Sequence, residues 1–387
     1  MIRLAAIAPI WPVLTLAASQ FAAVPTTGPT WEHWRTVPGI FDVAGPRQDG
    51  TLVVAGSAHL YLVDPAGNLS AFASGPQGYA PDPGAENYLA SSPGHSVTGA
   101  GCSFVPDDLF VLRLHAPIGI TRIDAQGLAS PFATVSGVDA LNGITFDTTG
   151  SFGYRLLATG TSNGRGVVVA IDCAGAVKTI TRTGPALEGG IAVAPAGFGG
   201  FGGDLMVPDE FSGNIYAIGP DGTYTIAARS GLPVGGDIGV ESVAFVPPGF
   251  TLGGEAYYAD RITPNSPHPG TDSLLRMPAA DLAAAEVHDG DMLAAAEGGA
   301  TMIDVSCQAT CQVGTVVGAP TSAHGEGHIV LTVSPVSAPP SRTVASPVAT
   351  PAQPNRAPLF VIVGLLVVGA ATLAGTTALR RRNTRNR

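Results

Sequence analysis

The stretch from residue 204 to residue 222 reads DLMVPDEFSGNIYAIGPDG. Its two short apolar runs, LMV and IYAI, are each followed by turn-forming Gly, Pro, Asp or Asn residues, which predicts antiparallel strands joined by tight turns. An apolar run followed by a turn that ends in Gly is found at 60–67, 120–127, 168–175 and 215–222. The last glycines of these segments are 60, 48 and 47 residues apart, so we interpret the segment as the third strand of a recurring four-stranded unit and its turn into the fourth.

A second apolar segment, next to Gly or Ser, recurs at 142–146, 190–193 and 241–245. Repeats of about 45–60 residues with about four strands each are typical of a β-propeller. We count six units, the first from Gly39, the fifth with a degenerate segment at 274–277 and the last at 300–333. The sequence therefore predicts an all-β, six-bladed propeller in residues 24–333, with a helical period only at 279–285. A large β-sandwich is the alternative, but it gives no reason for a repeat of this length.

Two segments carry a resemblance to a known family. DEFSGNIY at 209–216, followed by PDG at 220–222, resembles a blade of the NHL and regucalcin/gluconolactonase-like propellers. LNGITFD at 141–147 is similar to the segment that opens a blade in those proteins. The resemblance extends over about 300 residues as a blade pattern. It supports the fold, and a fold alone does not assign an activity.

The composition excludes some classes of protein. The chain has 387 residues, a net charge of −10 and only 12% charged residues, and its single lysine is Lys178. Because no basic patch is available, a nucleic-acid partner is not expected. Too few charged residues are present for a coiled coil.

The two ends of the chain predict export and anchoring. Residues 1–23 have one basic residue, Arg3, an apolar run and an A-x-S site, which is typical of a cleaved signal peptide; an uncleaved anchor is the alternative. Residues 334–358 are rich in Pro, Ser, Thr and Ala and predict an extended stalk. Residues 359–379 are uncharged and long enough for a transmembrane helix, and the arginines of 380–387 predict a cytoplasmic tail.

This arrangement predicts a single-pass cell-membrane protein whose N-terminal domain is extracytoplasmic and whose partner, besides the membrane, is an extracellular ligand or protein. The outer part carries 13 basic and 29 acidic residues, a net charge of −16, which keeps it soluble and suits divalent cations.

The four cysteines are an even number in an oxidising compartment, which predicts disulfides. Cys307 and Cys311 are close in sequence and are expected to pair with each other. Cys102 and Cys173 would then join separate parts of the domain. A metal site is the rival interpretation, although no CxxC spacing supports it.

Oxygen-bearing side chains stand just before the predicted inner strands of four consecutive units, at Glu86, Asn142, Glu188 and Glu241. Inner strands of a propeller begin around one mouth of its channel, so these side chains are expected to converge. Carboxylate and amide oxygens suit Ca²⁺. Regucalcin-like and paraoxonase-like propellers hold their metal in such a ring, so the resemblance implies a Ca²⁺ site here. The alternative is that these side chains hydrogen-bond exposed backbone at the strand starts.

Three motif matches are rejected. GTSNG at 160–164 fits G-x-S-x-G but precedes a strand and is interpreted as a turn. GFGGFG at 197–202 lies between two strands and is interpreted as a loop. HGEGH at 324–328 contains two glycines and is not a helical zinc motif. Most histidines are expected in loops.

Two functions remain open. The first is a ligand- or protein-binding module, because no nucleophile or base stands out in the sequence. The second is a Ca²⁺-dependent lactone or ester hydrolase of the gluconolactonase/paraoxonase type, with the metal at the channel mouth. In that case the ion would polarise a carbonyl.

Overall fold

A computed structural model describes residues 28–81 and 85–333. The predicted signal peptide, stalk, transmembrane helix and basic tail lie outside the described residues. Within the described ranges, no helix combines the length and the hydrophobicity needed to cross a bilayer.

The described residues form 24 strands and one short α-helix. In chain order the strands are β1 (Glu32–Thr36), β2 (Asp42–Ala44), β3 (Leu52–Gly56), β4 (His59–Val63), β5 (Leu69–Phe72), β6 (Leu89–Ser91), β7 (Leu109–Arg113), β8 (Gly119–Ile123), β9 (Ala129–Thr134), β10 (Ala140–Phe146), β11 (Leu156–Ser162), β12 (Arg165–Ile171), β13 (Val177–Gly184), β14 (Ala192–Val193), β15 (Leu205–Asp209), β16 (Asn214–Ile218), β17 (Tyr224–Arg229), β18 (Val240–Phe245), β19 (Glu255–Asp260), β20 (Ser273–Pro278), β21 (Met292–Ala296), β22 (Met302–Cys307), β23 (Cys311–Val317) and β24 (Gly325–Thr332). The helix α1 (Ala279–Ala284) lies where the sequence predicts it.

The strands form six antiparallel sheets of four, so the six-bladed propeller is confirmed. Blades 1 to 4 follow the chain as β2–β5, β6–β9, β10–β13 and β14–β17. Blade 5 has the order β18-β21-β22-β23 and blade 6 the order β24-β19-β20-β1. The first strand named for each blade is the inner one, since β2, β6, β10, β14, β18 and β24 contact one another around the axis.

The recurring sequence segments are confirmed as third strands. The runs at 60–63, 120–123, 168–171 and 215–218 lie in β4, β8, β12 and β16. Three of the four turns begin with an aspartate that accepts backbone N–H groups, at Asp64, Asp124 and Asp172. Asp64 Oδ1, for example, accepts the N–H groups of Ala66 at 2.9 Å and Asn68 at 2.8 Å. Gly67 has φ +84°, a conformation that glycine adopts without strain.

The last two blades are interleaved, and this differs from the predicted sequential units. The chain forms the inner strand β18 of blade 5, crosses to blade 6 for β19 and β20, and returns to blade 5 for β21–β23. It then ends in the inner strand β24 of blade 6. The predicted sixth unit, 300–333, therefore contains the third and fourth strands of blade 5 and the inner strand of blade 6. Strand order within a sheet depends on distant pairing, which a local repeat does not encode.

The N-terminal strand closes the ring as the outer strand of blade 6. Strand β1 pairs with β20 from Glu32 opposite Arg276 to Thr36 opposite Ser273, with a shift of register between His33 and Arg35. The Trp31 indole donates to the Ala300 carbonyl at 3.0 Å. The Trp34 ring lies 5.4 Å from the Tyr257 ring. Both ends of the described chain are thus held in one sheet.

The core consists of apolar side chains between neighbouring sheets. Between blades 2 and 3, for example, the Phe104 ring meets Phe110 and Phe146 edge to face at 5.3 and 4.9 Å. Both predicted disulfides are confirmed, Cys102–Cys173 between these blades and Cys307–Cys311 across the β22–β23 turn.

The inner strands run in one direction, as the parallel bridge between Gly190 and Ser242 illustrates. The channel therefore has two different ends. We call the end where the inner strands begin the acidic end, since Glu86, Glu188, Glu241 and Glu326 lie there. The opposite end, where the inner strands finish, is lined by apolar residues such as Leu89, Ile144 and Val330 and is called the apolar end.

Candidate functional site

Five consecutive blades contribute a polar side chain to the acidic end. Glu86 and Glu188 precede β6 and β14, as predicted. Asn142 and Glu241 are each the extra residue of a β-bulge, because the register of β10 skips residue 142 and that of β18 skips residue 241. A bulge redirects the side chain of the extra residue, here at the start of an inner strand. Blade 6, for which the sequence offered no obvious residue, adds Glu326 from β24.

The innermost contacts join two carboxyl groups through a phenol. Tyr88 Oη lies 3.0 Å from Glu241 Oε1 and 2.5 Å from Glu326 Oε1. A phenol has one proton to donate, so the second contact requires a proton on one of the carboxyl groups. Burial raises the pKa of both Glu241 and Glu326 well above the ordinary value, and repulsion adds to it, from Glu326 on Glu241 and from Glu86 and Glu297 on Glu326. These raised pKa values agree with the proton count.

Arg261 supplies positive charge beside this pair. Its Nη1 donates to Glu86 Oε1 at 2.8 Å and to Glu326 Oε2 at 3.2 Å. Glu86 is therefore in a salt bridge with Arg261. The single positive charge of this guanidinium is smaller than the negative charge that the carboxyl groups of the acidic end would carry if all were ionised.

A second pair of carboxyl groups lies on blade 4. Glu188 shares a hydrogen bond with Glu210, which follows β15 and is 8% exposed. Burial, together with repulsion from Glu188 and Glu297, raises the pKa of Glu210 to about 8. Burial raises the pKa of Glu188 as well. This pair therefore holds a proton near neutral pH.

Three residues from separate loops have the composition of a metal site. Asp237, Glu297 and His324 each offer one ligand atom, and these atoms lie within 4.8 Å of one another. His324 is 1% exposed and its Nε2 lies 2.8 Å from Glu297 Oε1, while its buried Nδ1 has no hydrogen-bond partner among the described residues. Burial lowers the pKa of His324, so the neutral imidazole that a metal requires is favoured. Burial and repulsion from Asp237 and Glu86 raise the pKa of Glu297 to about 8.

The backbone fixes these three residues. Asp237 lies in the β17–β18 loop with φ +62°, and the N–H of Gly235 in the same loop donates to the Glu210 carbonyl at 2.9 Å. The N–H of Glu297 donates to the Gly239 carbonyl at 2.8 Å. The N–H of His324 donates to Asp260 Oδ1 at 2.8 Å. The ligand atoms are thus positioned by the loop from blade 4 to blade 5, the end of β21 in blade 5 and the start of β24 in blade 6.

The four residues predicted to hold Ca²⁺ have separate partners. Glu86 contacts Arg261, Glu188 contacts Glu210 and Glu241 contacts Tyr88. The Asn142 amide donates to the Leu187 carbonyl, as the backbone-bonding alternative expects, but its buried Oδ1 has no partner among the described residues. Their role as one ligand set stays a prediction.

Sequence reasoning did not find Asp237, Glu297, His324, Glu210 or Glu326. Most of these residues lie in turns or directly beside a strand, and Glu326 lies on the inner strand β24; none has a spacing that marks a site. The HGEGH segment was a usable signal, since its first histidine lies in the Asp237, Glu297 and His324 group and its last lies on the inner strand β24. Among the histidines expected mostly in loops, His95, His115, His268 and His288 lie in loops, His324 forms a bridge directly before β24, and His328 lies on β24.

His328 occupies the axis between the two ends. Its Nδ1 lies 3.0 Å from Asp42 Oδ1 on β2, and its Nε2 lies 2.8 Å from the Ile144 carbonyl on β10. Both partners are acceptors, so the ring has to donate from both nitrogens and is an imidazolium. Burial opposes this charge, but Asp42 outweighs burial and raises the pKa of His328. On the far side lies the cavity of the apolar end, with a volume of about 360 Å³.

Comparisons with known proteins give a likeness of fold. No family model and no curated protein matches the chain. Among solved structures, virginiamycin B lyase from Staphylococcus aureus matches with 13% identity over 76% of this chain and 92% of that chain, at a TM-score of 0.39. The putative TolB from Agrobacterium tumefaciens matches with 13% identity over 78% and 93%, at 0.41. A putative gluconolactonase matches with 12% identity over 60% and 71%, at 0.35. The six sheets establish the fold of this chain, and at these identities and TM-scores the likeness assigns it no activity.

Proposed function

We propose that the propeller is a surface-anchored, extracytoplasmic binding module whose ligand meets the acidic end, and that a divalent cation held by Asp237, Glu297 and His324 completes the binding site. The observation that carries the proposal is the convergence of two carboxylates and one buried, partly unsatisfied imidazole within 4.8 Å. One cation would reduce the repulsion that raises the pKa values of Glu210 and Glu297.

The donor atoms bear on the choice of ion. An imidazole with carboxylates suits Mn²⁺ or Zn²⁺, whereas Ca²⁺ prefers oxygen ligands alone. The set Glu86, Asn142, Glu188 and Glu241 is the oxygen-only alternative, and it favours Ca²⁺. The first set of ligands therefore predicts tighter binding of Mn²⁺ or Zn²⁺, and the second predicts tighter binding of Ca²⁺.

The test is cation binding by a fragment of residues 24–333, which contains all six sheets and both strands that close the ring. Calorimetry and thermal shift with Ca²⁺, Mg²⁺, Mn²⁺ and Zn²⁺ would compare wild type with a Glu297→Gln/His324→Gln variant. We expect binding that the variant weakens at least tenfold. The exposed pair His59→Gln/Asp281→Asn is the control and should bind like wild type.

A Glu188→Gln/Glu241→Gln variant separates the two ligand sets. If this variant loses cation binding while Glu297→Gln/His324→Gln retains it, the ion is held by Glu86, Asn142, Glu188 and Glu241, the set predicted from the sequence. If no ion binds at millimolar concentration, the proposed cation site is wrong, and the module would bind its ligand through protein groups alone.

A lactone or ester hydrolase is the second candidate, and one observation favours it. Glu210 has a pKa of about 8 beside the candidate cation site and is not one of its proposed ligands, so it is able to hold or accept a proton near neutral pH. A bound divalent ion would supply polarisation of a substrate carbonyl. Hydrolysis of lactones or esters that is abolished by a chelator and slowed at least a hundredfold in Glu210→Gln would support this activity. If neither lactones nor esters are hydrolysed, the hydrolase is refuted and the binding module is the remaining function.

A further inference from the structure

The cavity at the apolar end lies opposite the candidate cation site and has a volume of about 360 Å³. All six inner strands contribute to its wall, with apolar side chains such as Leu89, Ile144 and Phe245. Concave sites of this size and apolar character are where proteins hold small molecules. An apolar cavity of about 150 Å³ holds one benzene ring, so this cavity has room for a ligand of one or two rings.

His328 forms the floor of the cavity. Its ring extends from β24 across the axis, with Nδ1 3.0 Å from Asp42 Oδ1 and Nε2 2.8 Å from the Ile144 carbonyl, and it is among the residues that line the cavity. From the acidic end, the Tyr88 ring meets the imidazolium edge to face, with 6.1 Å between the ring centroids. A ligand that enters at the apolar end therefore reaches His328 and goes no further.

The cavity presents a positive charge in an apolar wall. Among the described residues that line it, His328 is the only one with an ionisable side chain. Its partner Asp42 is fully buried and is not part of the lining, because the Asp42 carboxylate also accepts the N–H groups of Val43 at 2.8 Å and Leu89 at 2.6 Å. Both ring N–H groups of His328 are already donated, so the imidazolium has no hydrogen bond left for a ligand.

We propose that the apolar end binds a small, neutral aromatic molecule whose ring packs against the His328 imidazolium. The negative face of an aromatic ring is attracted to a cation, and this attraction is stronger where water is excluded. An anion would lose its hydration in the apolar cavity without gaining a hydrogen bond from His328. A saturated ring would gain only the hydrophobic contact. The site needs no divalent cation, so it does not rest on the function proposed for the acidic end.

The experiment titrates fragment 24–333 with benzyl alcohol and with cyclohexylmethanol, two soluble probes of similar size that differ in the aromatic ring. The methyl NMR signals of Leu89, Ile144 and Val330 report on the cavity, and a chelator in every sample keeps the result independent of the acidic end. Benzyl alcohol should shift these signals and should bind at least about threefold more tightly, although cyclohexylmethanol is the more hydrophobic probe.

Two variants locate the site and its selectivity. Thr145→Phe should weaken the binding of both probes at least about tenfold, because Thr145 is half-buried and lines the cavity, where a larger side chain takes up the space of the ligand. Thr225→Phe is the matched control, because Thr225 is exposed on the outer strand β17. His328→Gln should give the two probes similar affinities. If a variant fails to fold, the comparison of the probes on the wild type still decides.

Four results would overturn the inference. The first is that neither probe shifts the three methyl signals at about 10 mM, a concentration at which even a weak site is occupied. The second is that cyclohexylmethanol binds as tightly as benzyl alcohol, so that the imidazolium does not select an aromatic ring. The third is that benzoate binds more tightly than benzyl alcohol, which would make the ligand an anion. The fourth is that Thr145→Phe folds and binds both probes like wild type, which would place them elsewhere.

Discussion

Replacing His328 by Gln tests whether a charged pair holds the propeller axis. The imidazolium of His328 donates to Asp42 and to the Ile144 carbonyl, and so links blades 6, 1 and 3. Asp42 is fully buried and also accepts the backbone N–H of Leu89 in blade 2 at 2.6 Å. Removing the imidazolium of His328 leaves the buried Asp42 carboxylate without its opposite charge, and breaking such a pair costs about 3–5 kcal/mol. We expect His328→Gln to lose that much stability at pH 6.

The loss should depend on pH with a defined sign. The folded-state pKa of His328 is raised above its ordinary value of about 6.5, so its contribution is complete below that pH and is lost as pH rises through the folded-state pKa. Above that pKa the wild type also has an uncharged side chain beside Asp42. The difference in unfolding free energy between wild type and His328→Gln should therefore shrink, with a slope of at most about 1.4 kcal/mol per pH unit.

Urea unfolding of fragment 24–333 between pH 5.5 and 9.5, in the presence of a chelator, provides the measurement. Taking the difference between the two proteins removes most contributions from the carboxyl groups of the acidic end, which both proteins retain. His59→Gln is the matched control, because His59 is exposed on β4 and its replacement should change stability by less than about 0.5 kcal/mol. A stability difference that stays constant or grows with pH would refute the imidazolium assignment.

Three further outcomes are expected. Without divalent cations, the melting temperature should fall as pH rises from about 5 to 8. The reason is that Glu210 and Glu297, with pKa values of about 8, bind protons more tightly in the folded state than in the unfolded state. Thermal scans of the Glu210→Gln/Glu297→Gln variant should show a melting temperature that depends less on pH. Replacing both Cys102 and Cys173 by Ser opens a loop of 71 residues and should cost about 4 kcal/mol in urea unfolding. Trp34→Ala should cost about 3–5 kcal/mol and should speed amide hydrogen exchange in β1, whereas unchanged exchange would mean that Trp34 does not hold the closing strand.

The fold was predictable where local chemistry repeats. The apolar runs of β4, β8, β12 and β16, each with a turn that ends in glycine, identified the third strands of four blades, and from them the number of blades. The interleaving of blades 5 and 6 was not predictable in this way. The degenerate segment at 274–277 is a third strand like the others, but its sheet neighbours are β19, close in the chain, and β1, near the other end of it.

The candidate site was predictable only in part. Residues that precede an inner strand can be located once the strands are known, and this placed Glu86 and Glu188. The bulges at Asn142 and Glu241 arise from pairing with β11 and β21 and are not visible in either strand alone. Asp237, Glu297 and His324 are up to 87 residues apart and come together only through the crossing of blades 5 and 6.

This crossing also connects cation binding to the stability of the ring. Strand β24 begins next to His324, carries Glu326 and His328, and is the last strand to enter the ring. A cation held by Asp237, Glu297 and His324 would therefore join the start of β24 to the β17–β18 loop and to the end of β21. Because the three ligands come together only in the closed ring, the ion binds the folded state selectively. At a cation concentration one hundred times Kd, unfolding should become about 2.7 kcal/mol more difficult. The same addition should leave Glu297→Gln/His324→Gln unchanged; an equal gain in that variant would mean that the ion binds elsewhere.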